Sequence, residues 1–443
     1  MRKYIEIKRS LIVITALFLI FGLNACKVKD DLDPNNTDLN GVLHNATVAQ
    51  LNNVVVGTES SMRDILSTYL DDVGVVGREI YRFSGSEPRF TTDLLGAGDA
   101  VLNNNTFYVN NPWGARYRAV KNANIIISSI ANTNVPTAEQ KKGYLGFAKT
   151  IKAYQLLLAL NLSDKNGIRI DVADPDKLGP IVSKTEALTA IADLLNEAFT
   201  DLEGNASFAF KLSAGFKDFD SVTGFKKFNR ALAARVAIYR NNFADALIYL
   251  NDSFLDLTGP LAAGVYHVYS GATGDQFNPV FLPLNSTGEI RVAQPRFRID
   301  AEISDLRLQK IASRTSSATQ KGLTGSDDLA LYKSNTDPVC IIRNEELILI
   351  YAEAQVKNAS NFTEAVTAIN RIRIANGLSG YSGALAETDL IDEILKQRRY
   401  SLYMEGHRWI DMRRYNKLSE LPTDRTDDNV WDSFPIPFSE NVQ

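Results

Sequence analysis

The chain has 443 residues, 45% of them hydrophobic and 23% charged, with only two cysteines. That composition excludes an extended disordered chain, a collagen-like rod and a disulfide-rich scaffold, and leaves a folded body with a sizeable core. The formal net charge of −4 becomes −7 for residues 26–443 once Arg2, Lys3, Lys8, Arg9 and Glu6 are set aside, the wrong sign for a nucleic-acid binder.

The four basic residues of the N-terminus precede 13 almost purely apolar ones, 11–23. Such a run is too short to span ~30 Å of hydrocarbon permanently, so residues 1–25 read as an export signal. Leu23-Asn24-Ala25-Cys26 resembles a bacterial lipobox, which predicts cleavage before Cys26 and acylation of its thiol. Each buried acyl CH₂ contributes ~0.8 kcal/mol, and more than one chain anchors a protein stably without a transmembrane helix. With Cys26 acylated, Cys340 has no disulfide partner and reads as a small buried hydrophobe. Residues 26–40 are polar and charged, which suits a flexible tether. Their lysine-and-acid tract resembles the surface address of Bacteroidetes lipoproteins, which predicts an outer-membrane, lipid-anchored protein facing the cell exterior.

Residues 41–443 read as one domain dominated by helical patterns. Candidate helices run over 116–131, 137–161 and 185–203, the second carrying Tyr144, Phe147, Ile151, Tyr154 and Leu158 at spacings of three and four behind Thr137. Stretches 78–113, 164–184, 204–227 and 256–338 are less regular. In the last, Gly and Pro recur from Gly259-Pro260 to Gly325, which predicts short strands and exposed loops.

Residues 242–251 and 361–370 repeat one pattern, N-F-x-acid-A-aliphatic-x-x-aliphatic-N, each after an Ala-containing helix. Small residues let two helices pack closely where a Phe keys the turn, the logic of a tetratricopeptide (TPR) unit. The copies lie 119 residues apart rather than about 34, so insertions separate the hairpins. Around the second copy, Leu347, Ile350, Tyr351 and Ala354 mark one helix and Ala365, Ala368, Ile369 and Ile372 the next, with Thr363 as its cap and Gly377 as its stop. The fold class is mainly α: TPR-like hairpins form a scaffold into which long loops and a few short strands are inserted.

Four C-terminal motifs carry a resemblance. They are Arg343-Asn344-Glu345-Glu346 leading into Tyr351-Ala352-Glu353-Ala354, then Asn370-Arg371-Ile372-Arg373, then Glu405-Gly406-His407-Arg408-Trp409 with Asp411 to Arg414, and finally Phe434-Pro435-Ile436-Pro437 with Glu440-Asn441. In this order they resemble the SusD/RagB family, and Trp113, Tyr117, Asn122-Ala123-Asn124 and Ala153-Tyr154 agree in the N-terminal half. There are departures. The family's E-R-x-x-E is Gln397-Arg398-Arg399-Tyr400-Ser401 here, which removes two carboxylates and leaves Arg398 and Arg399 open to an anionic ligand. An aromatic-Gly-Asp-x-Pro turn is replaced by Leu162-Ser163-Asp164-Lys165-Asn166-Gly167.

The resemblance implies a nutrient-binding lipoprotein that captures oligosaccharide, or peptide, and serves a SusC-like TonB-dependent transporter, without catalysis, cofactor or metal. A surface TPR-like scaffold or adhesion lipoprotein without a small ligand is the alternative. Carbohydrate capture asks for aromatic faces to stack on sugar rings, with Arg and Asn for the hydroxyls, on loops held by a scaffold. One stretch offers Arg78, Tyr81, Arg82, Arg89, Phe90, Asn104, Phe107 and Tyr108, and a second offers Tyr266, Tyr269 and Arg296 beside Phe277, Phe281, Phe297 and Arg298. The tryptophans Trp113, Trp409 and Trp431 read as structural. Arg343, Arg371, Arg408 and Arg414 read as partners of Glu345, Glu405 and Asp411.

The three histidines, His44, His267 and His407, are isolated, and no H-E-x-x-H, G-x-S-x-G or Walker A motif occurs. Glu289, Asp300, Glu302 and Asp305 are close enough in sequence to suggest a glycosidase pair, but they read as solvated loop carboxylates.

Overall fold

A computed structural model of the chain describes residues 39–441. The leader, Cys26 and most of the tether lie outside the described residues. Helices α1 (Leu39–Asn45), α2 (Val48–Ser61) and α3 (Leu66–Val76) lead into strand β1 (Ile80–Ser84). The long helices α4 (Phe107–Asn132) and α5 (Ala138–Ser163) follow, then the two-residue strands β2 (Ile168–Arg169) and β3 (Ile181–Val182). Helices α6 (Lys184–Asp201), α7 (Val222–Tyr239) and α8 (Phe243–Asn251) complete the first half. Consecutive helices from α4 to α8 pack each on the next.

The cap chemistry sets these boundaries. Thr47 with Gln50, Thr137 with Gln140 and Ser183 with Glu186 form reciprocal capping boxes that satisfy otherwise orphaned N–H groups. Helix α4 starts nine residues before the expected 116. Its cap residue is Thr106, and Pro112, which reads as a breaker, is carried inside the helix. So Phe107 and Tyr108 are helical, not part of a loop.

The region expected to be irregular holds β4 (Gly264–His267), β5 (Glu289–Ala293), the short α9 (Arg296–Ile299), β6 (Ile311–Gln320) and β7 (Leu323–Leu329), followed by β8 (Val339–Arg343). Strands order β1-β5-β7-β6 in one antiparallel sheet, and β4 pairs with β8. In the β1–β5 register Tyr81 faces Val292 and Arg82 faces Arg291. All five residues of β1 are buried.

Helices α10 (Asn344–Ala354), α11 (Phe362–Ala375), α12 (Glu387–Ser401) and α13 (Arg408–Arg414) close the chain. The two copies of the repeat are helical hairpins, α7–α8 and α10–α11, and α10 packs on α8. Asn242 and Asn361 cap their second helices in the same way, each side chain accepting from the N–H of the acidic residue three positions on. The cap of α11 is thus Asn361, not Thr363, because Asn361 Oδ1 accepts the Glu364 N–H and Thr363 already lies inside the first turn. A main core runs from Val42 to Phe434, and a satellite core built on Ile348, Ile369, Ile372 and Ile394 joins α10, α11 and α12.

Residues 429–440 form a strap across the body. Asn429 N–H donates to Leu95 O (3.0 Å), Phe434 N–H to Leu162 O (2.8 Å) and Phe438 N–H to Asn104 O (3.0 Å). Trp409 Nε1 donates to Trp431 O (2.7 Å), and Trp431 Nε1 to Asp93 O (2.7 Å). Glu440 receives Trp113 Nε1 at 3.0 Å and Arg169 Nε at 2.5 Å. All three tryptophans therefore tie elements together.

Cys340, on β8, is half-buried and free. The departing turn after α5 ends on Gly167 at φ +73°, where an added Cβ would collide with the Val182 carbonyl oxygen. Gly167→Ala should therefore cost about 2 kcal/mol, from left-handed strain and from parting β2 and β3. A drop in thermal midpoint checks this, and an unchanged midpoint would refute it.

Candidate functional site

The first stretch divides between core and surface. Arg78 is buried and donates to the carbonyls of Val75 (3.2 Å), Leu95 (3.2 Å) and Asn429 (2.8 Å). Burial draws its guanidinium down to about 10. Tyr81 is buried, its hydroxyl donating to Asp424, and Arg82 shares Asp71 with Arg291. Phe90 and Tyr108 are buried too, and the Tyr108 hydroxyl donates to Asp93 at 2.9 Å. These five fix the position of the loop face and offer no ring or free guanidinium to a ligand, which corrects the expectation that they form an exposed stacking surface.

What reaches solvent is Arg89, Asn104 and Phe107. The Arg89 guanidinium lies 5.1 Å over the Phe107 ring, Phe107 meets Phe90 edge-on at 5.2 Å, and Arg82 lies 5.5 Å from the Phe90 ring on the inner side. Burying the lower half of this stack holds its upper end still. Glu87 orients Arg89 through a bidentate pair at 2.7 and 2.6 Å, and its carboxyl is held below the usual range by that arginine. The strap adds Phe438, 54% exposed and bonded through its N–H to Asn104. Phe438 is the exposed ring that sequence reasoning missed. The motif Phe434-Pro435-Ile436-Pro437 stops just short of it, and only the chain reversal brings it beside Asn104. Arg89, Asn104, Phe107 and Phe438 thus form a shallow rim with donors, acceptors and an accessible aromatic face.

The second stretch does not form one surface. Tyr266 is half-buried with its hydroxyl donating to Ala262 O at 2.5 Å. Tyr269 is buried beneath Arg63, 5.5 Å from its ring. Phe277 is exposed, whereas Phe297 is packed between Tyr400 and Tyr403. Arg296 pairs with Asp300 at 2.6 Å and Arg298 with Asp327 at 2.7 Å.

The two arginines expected to be open to an anionic ligand find carboxylates elsewhere. Arg398 is buried with Nε 2.6 Å from Asp411, and Arg399 reaches Asp300 at 2.9 Å. Neither is free for an anionic ligand. Arg343 pairs with Glu345 (2.8 Å) and Glu405, and Arg414 with Asp411 (2.9 Å) and Glu353. Arg371 departs from the expectation and donates to the carbonyls of Leu257 and Gly259 at 3.0 and 2.8 Å. The suspected glycosidase carboxylates are each claimed by a different cation: Glu289 by Arg82, Asp300 by Arg296 and Arg399, Glu302 by Arg373 and Lys396, Asp305 by Arg307. Arg373 holds Glu302 down at about 2, the opposite of what a general acid needs. Burial pushes His267 and His407 down to about 3, so both imidazoles are neutral.

Comparison with known proteins gives a consistent picture. Residues 302–436 match the model of the SusD family. Among solved structures, surface glycan-binding protein A from Bacteroides thetaiotaomicron, in complex with laminarihexaose, superposes with a TM-score of 0.70 at 14% identity, over 89% of this chain and 97% of that one. A SusD superfamily protein from Bacteroides vulgatus gives 0.68 at 16% identity, over 89% and 97%. A laminarin-binding SusD-like protein gives 0.62 at 16% identity, over 90% and 98%. A search of curated proteins finds no match.

Proposed function

Because the chain belongs to the SusD family, by the sequence of residues 302–436 and by its fold, we propose that it captures oligosaccharide, or peptide, and delivers it to a SusC-like TonB-dependent outer-membrane transporter. The observation that carries this reading is the match of fold, over 89% of the chain, to a protein in complex with laminarihexaose. The rim supports it: an accessible Phe438 ring can stack on a sugar face while Arg89 and Asn104 serve its hydroxyls. Capture rather than cleavage fits the loop carboxylates, which are spent on ion pairs. Acylated Cys26 would hold the body at the membrane, on the outer face, with the tether giving it reach.

Calorimetry of the mature chain against a glycan and peptide panel should find a ligand with Kd on the order of micromolar to millimolar. Arg89→Ala, Phe107→Ala and Phe438→Ala should each weaken it by about tenfold, as loss of a stacking or charged contact does. Unchanged binding in all three variants rejects the rim, and turnover of the oligosaccharide rejects capture. Cys26→Ala should release the protein from membranes, and a β-barrel of transporter size should co-purify with the anchored form. A variant that still partitions fully with detergent removes the anchor from this account.

A further inference from the structure

A cleft of about 440 Å³ opens between the end of α2, residues 211–216 and the loop that follows β4. That volume falls within the ~300–1,000 Å³ of small-ligand sites. Its walls come from Glu59, Ser60 and Arg63 on one side and from Lys211, Ser213, Tyr266 and Thr273 on the other. None of the residues from α2 or from 211–213 was suggested by the sequence, where 204–227 reads only as a less regular stretch.

The cleft is built rather than incidental. Arg63 Nη1 donates to Asp275 Oδ1 and to Val268 O, both at 2.6 Å, and Ser270 Oγ donates to Asp275 Oδ2 at 2.6 Å, so the loop is pinned at its base and tip. The Tyr269 ring supports that guanidinium from below. Ser213 N–H donates to Glu59 Oε2 at 3.1 Å, which joins α2 to the opposite wall. Burial raises the Glu59 carboxyl above its usual range, so further hydrogen-bond donors would stabilise its charged form.

Charge decides what the cleft suits. Glu59 and Asp275 face Arg63 and Lys211, His267 is neutral, and the four charges cancel. Donors and acceptors are mixed, and Val56, Leu212 and Phe216 supply apolar wall between them. An acidic sugar would bring its carboxylate against two others, and a polycation would meet Arg63 and Lys211. A polyhydroxylated ring without charge has donors for the carboxylates, acceptors for Lys211 and C–H faces for the apolar wall.

We infer that this cleft is a second oligosaccharide site, separate from the rim and selective for uncharged glycans. It depends on the glycan-capture reading only for the class of ligand. Hydrogen–deuterium exchange on the mature chain tests it, with neutral gluco-, manno- and galacto-oligosaccharides as probes and an oligogalacturonide as the acidic control. A neutral oligosaccharide should slow exchange in 211–216 and 268–275. Glu59→Ala should weaken that protection about tenfold, and Ser60→Trp, which fills the cleft from an already accessible position, should abolish it, while protection of 87–107 persists in both. Protection confined to 87–107 overturns the second site and leaves capture at the rim intact. Tighter protection of the cleft by the oligogalacturonide overturns its selectivity. Absence of protection in both regions with every one of these probes overturns the second site and, with it, capture of glycan at the rim.

Discussion

Arg414→Ala is expected to destabilise the protein by about 3–5 kcal/mol, the cost of leaving a buried charge without its partner. Arg414 binds Glu353 through Nη2 (2.6 Å) and through Nη1, and Asp411 through Nε (2.9 Å). Glu353 is completely buried. Once Arg414 is gone its carboxylate keeps only the Tyr415 hydroxyl at 2.8 Å. Asp411 fares better because Arg398 remains at 2.6 Å. Burial works against the Asp411 charge, yet Arg398 and Arg414 hold its carboxyl down at about 2. Urea unfolding of Arg414→Ala, of Glu353→Leu and of the Arg414→Ala/Glu353→Leu double variant provides the check. Each single change should be costly and the double variant closer to wild type than their sum. A single-variant loss under about 1 kcal/mol would mean that the pair is solvated.

Between pH 5 and 8 wild type should lose stability relative to Glu79→Gln. Glu79 follows α3, with Oε1 accepting the Met404 N–H at 3.2 Å and Oε2 without a partner. Burial pushes its carboxyl up to about 8, against the opposing pull of the Met404 N–H and Arg408. The folded state therefore binds a proton that the unfolded chain has released. That contribution is complete below about 4.5 and is lost at about 1.4 kcal/mol per pH unit as pH climbs to about 8. Glu302 and Asp411, both held at about 2, act in the opposite sense, their contribution being lost as pH falls through the acid range. His267 and His407, both pushed down to about 3, also act in the opposite sense up to about 6.5, so the Glu79 contribution is read from the difference between the two profiles. Unfolding free energies at pH 5, 6, 7 and 8 decide the matter, and parallel profiles for wild type and Glu79→Gln would show that Glu79 is ionised in the folded protein.

The helical hairpins and the buried ion pairs were legible because their signals are local. Asn242 and Asn361 sit three residues before an acid in both copies, and Arg343, Glu345, Asp411 and Arg414 are spaced to meet along or beside one helix. The placement of Arg78, Tyr81 and Arg82 was not legible. Ile80-Tyr81-Arg82-Phe83-Ser84 alternates apolar and polar residues like a half-exposed strand, but its polar face meets Asp71 and, across more than 200 residues of sequence, Glu289 and Arg291. Pro112 hid the first turns of α4 in the same stretch. The rim was half visible: Arg89, Asn104 and Phe107 were named, whereas Phe438 depends on where the strap returns. The cleft was invisible, since Glu59 and Arg63 become a wall only when residues 211–213 and the loop after β4 arrive from far along the chain.

The strap also has a temporal consequence. Residues 429–440 clamp Asp93, Leu95, Asn104 and Leu162, and so join the ends of loops more than 260 residues apart in sequence. Closing such distant ends is slow compared with forming a local hairpin. A ribosome delivers these residues after every segment they clamp. Nascent polypeptide can assemble its hairpins early, but the rim takes shape only once residues 429–440 have been made, so a chain stopped short of them carries scaffold without grip.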